Sequence, residues 1–506
     1  MFHLRTTKTA SNATAVQIVR YNYRKRIVVK HIGSAHTPEE IISLKETARN
    51  WIEQETRQQR LFPEDIKLTL TPIEKCEYLD TRYSFIYETL SHLLRLLQFD
   101  IPHNQLLLDL VIMRIIKPVS KLESLEYLSE MFGITYKRGN LYEIISSFSA
   151  LKNIVEKKAV MFAKQNLQFD FSIVFYDVTT LYFETFKEDR DEFRKPGFSK
   201  DNKANQPQIV IGLIVTKEGF PVSYDVFAGN TFEGKTFIPT ITKFKNTYEI
   251  KNLTVVADAA MISYPNVQSL ITNGLSYIVG ARMASLKKPE IEEVNQKLSG
   301  KEEALKKLKK KDGLSTRIET ERGTLICDFS FKRYLKDKRE MDKQIVKAKK
   351  LLEENEGTKR VKFIKNKDDE KTEQVLNTNL IEKTKQLLGI KGYYTNLTDE
   401  TDKAIIDHYH SLWRVEKAFR IAKSDLEARP VFHHKKENIL AHILICFMAL
   451  AICKYMELKT GKSTKKIVKL LKSITEARMK NLLTGKIFLM RKEVSDEVNR
   501  LQQLLL

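Results

Sequence analysis

Cysteine and tryptophan are scarce in this chain, whose 506 residues include four cysteines and two tryptophans. The cysteines, Cys76, Cys327, Cys446 and Cys453, form no Cys-x2-Cys pair and follow no regular spacing. We therefore expect neither a zinc ribbon nor a disulfide framework, and the pattern fits a reducing cytoplasm.

Long apolar runs are scarce too. Residues 1–26 lack the apolar core of a signal peptide. One run, residues 439–456, has the length of a membrane span, for which about 18 residues is the lower limit. It contains His442 and Lys454. Because no second candidate accompanies it, we interpret it as a helix buried in a soluble core, and we expect a cytoplasmic protein with no membrane partner.

Acidic residues are outnumbered by basic ones. The chain carries 86 Lys and Arg against 64 Asp and Glu, a formal net charge of +22. Such a surplus indicates a polyanionic partner, either nucleic acid or an anionic membrane surface. Hydrophobic residues make up 42% of the chain, which excludes a disordered protein. The length is sufficient for two to four domains.

The apolar pattern changes near residue 170. Residues 171–183 form a nearly continuous apolar run rich in β-branched and aromatic residues, typical of a strand buried on both faces. Residues 207–230 read as an antiparallel hairpin, and two further strands alternate with helices up to residue 282. Three antiparallel strands followed by βαβ units is the order of a ribonuclease-H-like fold, an α/β core with a mixed five-stranded sheet.

Composition divides the chain into five regions. They are a mixed α/β region (1–75), a helical region (76–165), the α/β core (166–283 and 386–456), a lysine-rich inserted domain (284–385) and a C-terminal helical region (457–506). Several small helices before a core of this kind could form a module that reads nucleic acid, or a plain helical scaffold.

Two aspartates accompany the predicted core strands. Asp177 stands at the end of the first strand, and Asp258 ends the fourth. These strands are neighbours in the predicted sheet, so the two carboxylates would meet, repel one another and require a cation. Mg²⁺ prefers hard oxygen ligands and keeps waters and phosphate oxygens. Glu416, on a later helix, could complete a site for two metal ions. The alternative is that each aspartate only caps a strand or turn.

Residues 407–430 read as one amphipathic helix. At about 100° per residue, Leu412 falls at the edge of an apolar stripe that faces the core. A second stripe beside it comprises Tyr409, Trp413, Glu416, Arg420 and Lys423. The aromatic and basic members of this stripe could hold an anionic strand while Glu416 binds metal. The alternative is an ordinary helix with charged neighbours four and seven residues apart.

On these residues the sequence resembles the DDE transposases of bacterial insertion sequences, in the branch with a Tyr-x2-Arg-x3-Glu-x6-Lys signature. Tyr409, Glu416 and Lys423 stand at the signature spacing, whereas Leu412 occupies the Arg position. The stretches FYDVTTLYFE, VVADAAMIS and FRIAKSDLEARPVFHH also look like family blocks. The long interval between Asp258 and Glu416 fits the family's habit of inserting a domain before the catalytic Glu.

The resemblance implies a cut-and-paste DNA transposase. It implies that Asp177, Asp258 and Glu416 are catalytic and bind two Mg²⁺ ions, for which Mn²⁺ could substitute. The residues implied to contact DNA are Tyr409, Trp413, Arg420 and Lys423. The partners would be double-stranded DNA, as the terminal inverted repeats of a mobile element and as target DNA, bound by a homodimer. Residues 76–165 are then candidates for binding the element ends, and residues 457–506 for dimerisation.

Two other functions stay open. Residues 229–236, GNTFEGKT, match the GxxxxGK[ST] pattern of a P-loop NTPase and lie between a predicted strand and a predicted helix. Glu233 would repel a phosphate there, and the preceding strand is predicted to be hairpin-paired. A basic nucleic-acid-binding protein without catalysis is the third possibility. The histidines near residues 408–442 have no zinc-site spacing, and we interpret His442 as a core residue.

Overall fold

The structure is a computed structural model. It describes all residues except 1, 23–24, 57–72, 103, 185–192, 200–202, 204, 262, 299–313, 354–360 and 367–373. The chain divides into two compact units, the first comprising 1–89, 125–135 and 467–503, and the second 90–124, 136–466 and 504–506. The five regions predicted from composition stay a prediction.

The secondary structure elements are numbered along the chain. The strands are β1 Phe2–Lys8, β2 Thr14–Asn22, β3 Lys25–Ala35, β4 Cys76–Arg82, β5 Ile173–Tyr182, β6 Gln208–Val215, β7 Pro221–Ala228, β8 Thr254–Ala257, β9 Ser276–Gly280, β10 Leu314–Thr320, β11 Gly323–Phe329, β12 Ile364–Asn366, β13 Gln374–Leu376, β14 Ile390–Thr395, β15 Glu476–Asn481 and β16 Ile487–Arg491. The helices are α1 Pro38–Thr56, α2 Ser84–Leu96, α3 Gln105–Ile116, α4 Lys121–Phe132, α5 Arg138–Ile144, α6 Lys152–Asn166, α7 Glu233–Thr247, α8 Tyr264–Thr272, α9 Lys288–Lys297, α10 Phe331–Glu353, α11 Thr378–Gln386, α12 Asp402–His410, α13 Trp413–Arg420, α14 Lys436–Thr460, α15 Thr464–Lys472 and α16 Asp496–Leu505.

The first unit contains two small antiparallel sheets, with the orders β1-β2-β3 and β16-β15-β4. Val16 and Ile18 on β2 point to one face, where Leu44 and Ala48 of α1 cover them. The C-terminal region, predicted to be helical, contains β15 and β16. β15 forms a strand because it pairs with the distant β4, which local periodicity does not reveal.

The second unit is built on an eight-stranded mixed sheet in the order β10-β11-β14-β9-β8-β5-β6-β7. β5, β6 and β7 pair antiparallel, whereas β8 and β9 run parallel to β5. The predicted sequence of antiparallel strands followed by βαβ units is therefore present. The predicted number of five strands was too small, because β14, β11 and β10 extend the sheet beyond β9.

Helix α14 occupies the core of this unit. Among the described residues it is the one helix long and apolar enough to cross a membrane, and 94% of its most apolar window is buried within the protein. Its two buried charged residues, Lys454 and Glu457, lie on the same side, with their charged atoms 3.9 Å apart. A helix that is covered by protein on all sides has the apolar composition of a core helix, as we interpreted residues 439–456.

Candidate active site

The two aspartates lie on adjacent parallel strands. Tyr176 of β5 is in register with Ala257, the last residue of β8, so Asp177 and Asp258 follow side by side. Asp177 is half-buried and Asp258 is exposed. The prediction that Asp177 ends its strand is wrong, because β5 continues to Tyr182 through its pairing with β6. Asp177 marks instead the point where the parallel pairing with β8 ends.

Both aspartates use one carboxylate oxygen in the same way. Oδ1 of Asp177 accepts a hydrogen bond from the N–H of Val178 at 2.7 Å, and Oδ1 of Asp258 accepts one from Ala259 at 2.6 Å. These local bonds orient each carboxylate relative to its own backbone. The two carboxylates lie on the same side of the sheet, where their oxygens act as hydrogen-bond acceptors.

Glu416 reaches this region from a helix that packs on β5 and β6. The buried face of α13 consists of Val415, Ala418 and Phe419, and Glu416 lies on its exposed side. The single helix predicted over residues 407–430 is wrong. α12 ends at His410, α13 begins at Trp413, and a π-helical turn occupies residues 421–425. Because a π-turn widens the helical period, Lys423 is displaced from the position that ideal spacing predicts, and its role in binding DNA stays a prediction.

The pKa of Tyr409 is affected by the charges of all three acids. Burial raises the pKa of Tyr409 above its usual value, and the negative charges of Asp258, Glu416 and Asp177 raise it further. The Tyr409 hydroxyl donates a hydrogen bond to Oδ1 of Asp258 at 3.1 Å. The three carboxylates therefore lie within electrostatic reach of the same side chain, although they come from three separate parts of the sequence.

Tyr409 lies beneath Asp258 rather than on the surface. Its side chain is 5% exposed, its ring packs against Tyr393 at a centroid distance of 4.6 Å, and Lys391 Nζ lies 4.5 Å from the ring centroid. A methyl group at Gly280 would collide with its hydroxyl, so the absence of a side chain there makes room for it. This placement does not support the direct DNA contact predicted for Tyr409.

The other members of the predicted stripe are accessible to different degrees. Trp413 is 53% exposed, with the Arg414 guanidinium 5.9 Å from its ring centroid. Arg420 is exposed and Lys423 is half-buried. Leu412 is buried, in agreement with its position at the edge of the core stripe. Trp413 and Arg420 thus remain available to a ligand.

The donor set suits a hard divalent cation, because carboxylate oxygens are the ligands that Mg²⁺ prefers. Within the described ranges, however, no three His, Cys, Asp or Glu side chains lie close enough together to hold a metal ion. The chemistry of Asp177, Asp258 and Glu416 therefore fits a metal, while their side chains do not form a compact ligand cluster here.

Sequence reasoning missed a polar network behind Tyr409. The Tyr393 hydroxyl donates to Oδ1 of Asp328 at 2.9 Å and lies 3.2 Å from Nε2 of His410, and Arg333 lies 3.5 Å from Asp328. Burial, and then the charge of Arg333, lowers the pKa of Lys391, whereas Asp328, Asp258 and Glu416 oppose this effect. The pairing of β11 with β14 sets Asp328 opposite Lys391, and because these strands are far apart in sequence, no local sequence signal identified the network.

The geometry argues against a P-loop at residues 229–236. The preceding strand, β7, is an edge strand that pairs antiparallel with β6, whereas a P-loop follows a strand of a parallel sheet. Thr236, the residue that would bind Mg²⁺, donates its hydroxyl to the carbonyl of Glu233 at 2.6 Å and lies 2.7 Å from the Tyr176 hydroxyl. The pattern match therefore does not correspond to a nucleotide-binding loop.

The family model described as "Transposase DDE domain" matches residues 168–452, which is more than half of the chain and includes all three acids. No curated protein matches the chain significantly.

Two solved structures have low overall similarity. A piggyBac transposase synaptic complex with hairpin DNA is 12% identical, with a TM-score of 0.34, and the match covers 84% of this chain and 75% of that chain. A Mos1 transposase paired-end complex with left transposon end is 15% identical, with a TM-score of 0.16, and the match covers 46% of this chain and 66% of that chain. Neither of these adds to the assignment, which rests on the sequence match alone. The chain belongs to the transposase DDE-domain family.

Proposed function

We propose that this protein cuts the ends of a mobile DNA element and joins them to target DNA, with Asp177, Asp258 and Glu416 as its catalytic carboxylates. In this proposal β5 to β9 and their helices form a ribonuclease-H-like core, which β10, β11 and β14 extend. On the spacing of Tyr409, Glu416 and Lys423, with Leu412 at the Arg position, we further propose that the chain belongs to the Tyr-x2-Arg-x3-Glu-x6-Lys branch and originates from a bacterial insertion sequence.

The observation that carries the proposal is the parallel pairing of β5 and β8. It sets Asp177 and Asp258 side by side at the point where the two strands separate. The family match spans both aspartates and Glu416. The charges of Asp258, Glu416 and Asp177 all raise the pKa of Tyr409 after the effect of burial, which supports a shared site over three separate cap or turn roles.

The three carboxylates would hold two Mg²⁺ ions. Bound divalent ions would supply a nucleophile at neutral pH and charge stabilisation for the attacking and leaving oxygens of a phosphodiester. The protein's own groups position these carboxylates. Tyr409 holds Oδ1 of Asp258 through its hydroxyl, and the buried face of α13 keeps Glu416 over β5 and β6.

The DNA would approach along the exposed side of α13. Trp413 and Arg420 are accessible there, and a guanidinium forms charge-assisted hydrogen bonds with phosphate oxygens. The net charge of +22 provides long-range attraction for double-stranded DNA. We propose the terminal inverted repeats and target DNA as the substrates, bound by a homodimer in the DNA complex.

The test replaces each acid separately, as Asp177→Ala, Asp258→Ala and Glu416→Ala. Purified variants are incubated with Mg²⁺ and a plasmid that carries the gene with its natural flanking DNA. We expect each change to abolish strand cleavage at the element ends, because the removed carboxylate would bind metal. Binding of the flanking DNA, measured without metal, should stay close to that of the unaltered protein.

Glu292→Ala is the matched control. Glu292 is an acid on α9 whose side chain is 52% exposed, and its contact with Lys288, at 3.8 Å, is that of a surface pair. Cleavage should survive this change. If a variant at Asp177, Asp258 or Glu416 cleaved normally, that residue would have no catalytic role. If all three did so, a non-catalytic DNA-binding function would be favoured.

A further inference from the structure

A second cavity in the same unit is lined by basic side chains. Its volume is about 540 Å³, and none of the three catalytic carboxylates lines it. The basic residues in its wall are Arg114, Lys121, Arg429, His433 and His442. Two acids, Glu123 and Glu427, also line it, but neither is buried. The cavity is therefore lined by more basic than acidic side chains.

Three of these basic residues are more than nine-tenths buried. Arg114 is 6% exposed, Lys121 is 8% exposed and His442 is 3% exposed. His442 Nε2 donates to the carbonyl of Ala428 at 3.0 Å, which leaves Nδ1 to accept a hydrogen bond from Lys121 Nζ. Arg114 donates to the carbonyl of Val119 at 2.9 Å. The hydrogen-bond partners of this cluster are thus neutral groups.

No carboxylate in the described part of the chain forms an ion pair with Arg114, Lys121 or His442. Burying positive charges without a counter-charge is unfavourable. Burial, and then the charge of Arg114, lowers the pKa of Lys121 well below its usual value. Burial, and then the charges of Lys121 and Arg114, lowers the pKa of His433 to about 3. An anion in the cavity would offset this mutual repulsion.

The rim of the cavity carries two exposed aromatic side chains. Tyr142 and Phe432 both line it, and each is 63% exposed. Stacking on an aromatic side chain is how proteins hold unpaired nucleic acid bases. The cavity also exceeds what a single inorganic anion needs, since pockets of about 300–1,000 Å³ accept whole small-molecule ligands.

We propose that this cavity binds one unpaired nucleotide, with its phosphate against Arg114 and Lys121 and its base stacked between Tyr142 and Phe432. The chemistry that it recognises is a phosphate joined to an aromatic base. The ligand could be a nucleotide within a single DNA strand or a free mononucleotide. This site does not depend on the three carboxylates, and it can be tested without any cleavage reaction.

Binding of deoxyadenosine 5′-monophosphate, deoxyadenosine, inorganic phosphate and a single-stranded oligonucleotide can be compared by calorimetry with the full chain. We expect the monophosphate to bind more tightly than either fragment. Lys121→Met should weaken the monophosphate about tenfold to hundredfold, because one charge-assisted hydrogen bond is lost. Phe432→Ala and Tyr142→Ala should weaken it about fivefold to hundredfold through lost stacking, with little effect on inorganic phosphate.

The two aromatic variants change exposed side chains and keep the test independent of folding defects. Asp177→Ala should bind the monophosphate normally, so a failure of the catalytic proposal would leave this result intact. A tighter complex with the oligonucleotide than with the monophosphate, weakened by Phe432→Ala and Tyr142→Ala, identifies a DNA strand as the source of the nucleotide, whereas an oligonucleotide complex that these changes leave unaltered, beside a weakened monophosphate complex, identifies a free nucleotide. Absence of monophosphate binding, or binding that none of the variants weakens, would overturn the proposal.

Discussion

At the scale of single residues, position 412 could either contact DNA, as the Arg of the signature would, or belong to the core. The family signature has Arg there, and the sequence left open whether the position still faces DNA. In the structure Leu412 is 5% exposed, and it is the N-cap residue that precedes α13. The position therefore belongs to the core, and the positive charge of the signature is absent from this part of the helix.

Leu412→Arg tests this placement. A guanidinium at a buried position without a carboxylate partner should destabilise the fold by several kcal/mol. We expect a lower melting temperature and no gain in affinity for DNA. Leu412→Met, which conserves volume, should cost less than about 1.5 kcal/mol. A gain in DNA affinity at an unchanged melting temperature would show that the position faces DNA.

At the scale of elements, the basic residues of α13 and of the π-turn that follows it have two different roles. Lys417 Nζ lies 2.7 Å from a carboxylate oxygen of Glu457 on α14, so it joins two helices. Arg420 points to solvent on the same helix, and Lys423 lies in the π-turn that follows. The first residue is thus structural, while the other two are the candidates for binding phosphate.

Alanine substitutions of Lys417, Arg420 and Lys423 should distinguish the structural role from the phosphate-binding role. Arg420→Ala and Lys423→Ala should weaken DNA binding about tenfold to hundredfold, because a charge-assisted hydrogen bond contributes about 1.5–3 kcal/mol. Their melting temperatures should stay near that of the unaltered protein. Lys417→Ala should show the opposite pattern, since it leaves the buried Glu457 with a weaker partner. Identical effects of all three changes in both measurements would contradict the division.

Helix α14 carries a titratable group whose charge state affects stability. Burial, and then the charges of Lys417 and Arg414, lowers the pKa of Lys454 to about 8 against the opposing effect of Glu457. The unfolded value is about 10.4. Between these values the unfolded chain binds more protons, so the contribution of Lys454 to the free energy of unfolding rises with pH, by up to about 3 kcal/mol.

Lys454→Met removes this contribution. We expect the variant to be more stable than the unaltered protein at pH 7, and the difference to shrink or reverse by pH 10. Thermal melting of both proteins at the two pH values gives the comparison, in which titration of the other lysines cancels. A difference in melting temperature that does not change with pH would mean that Lys454 titrates normally.

At the scale of the whole molecule, two strands from the region predicted as a lysine-rich insert are part of the eight-stranded sheet. β10 and β11 lie in the region predicted as an insert, yet they pair onto β14 and complete the eight-stranded order. Removing residues 284–385 would therefore expose the edge of β14 and delete Asp328 and Arg333, the partners of Tyr393 and Lys391 in the polar network. The contribution of the insert to DNA binding has to be tested on its surface, where α10 carries many exposed lysines.

The exposed positions Lys332, Lys336, Lys343 and Lys347 lie on one face of α10. Changing all four to alanine should flatten the dependence of DNA affinity on salt, by about 0.9 in the log–log slope for each lysine that contacts a phosphate. The measurement is a titration of a random-sequence duplex at several salt concentrations. An unchanged slope, with an unchanged melting temperature as control, would assign these lysines to a solvated face only.

The sequence alone determined the family of this protein and singled out the three acids that we propose as catalytic. A continuous β-branched run, a hairpin and two βα units predict the strand order around Asp177 and Asp258, since each of these signals is local. The spacing of Tyr409, Glu416 and Lys423 in one short stretch carries the family resemblance for the same reason.

Only the tertiary structure decided what depends on distant pairing. The three additional strands, the Asp328 network and the burial of Tyr409 under Asp258 result from contacts between segments far apart in sequence. The break after His410 separates α12, which packs against β8, β9 and β10, from α13, which packs on β5 and β6, and the π-turn at residues 421–425 follows α13. Apolar spacing predicts which face of a helix is buried, but the partners of that face determine where the helix bends.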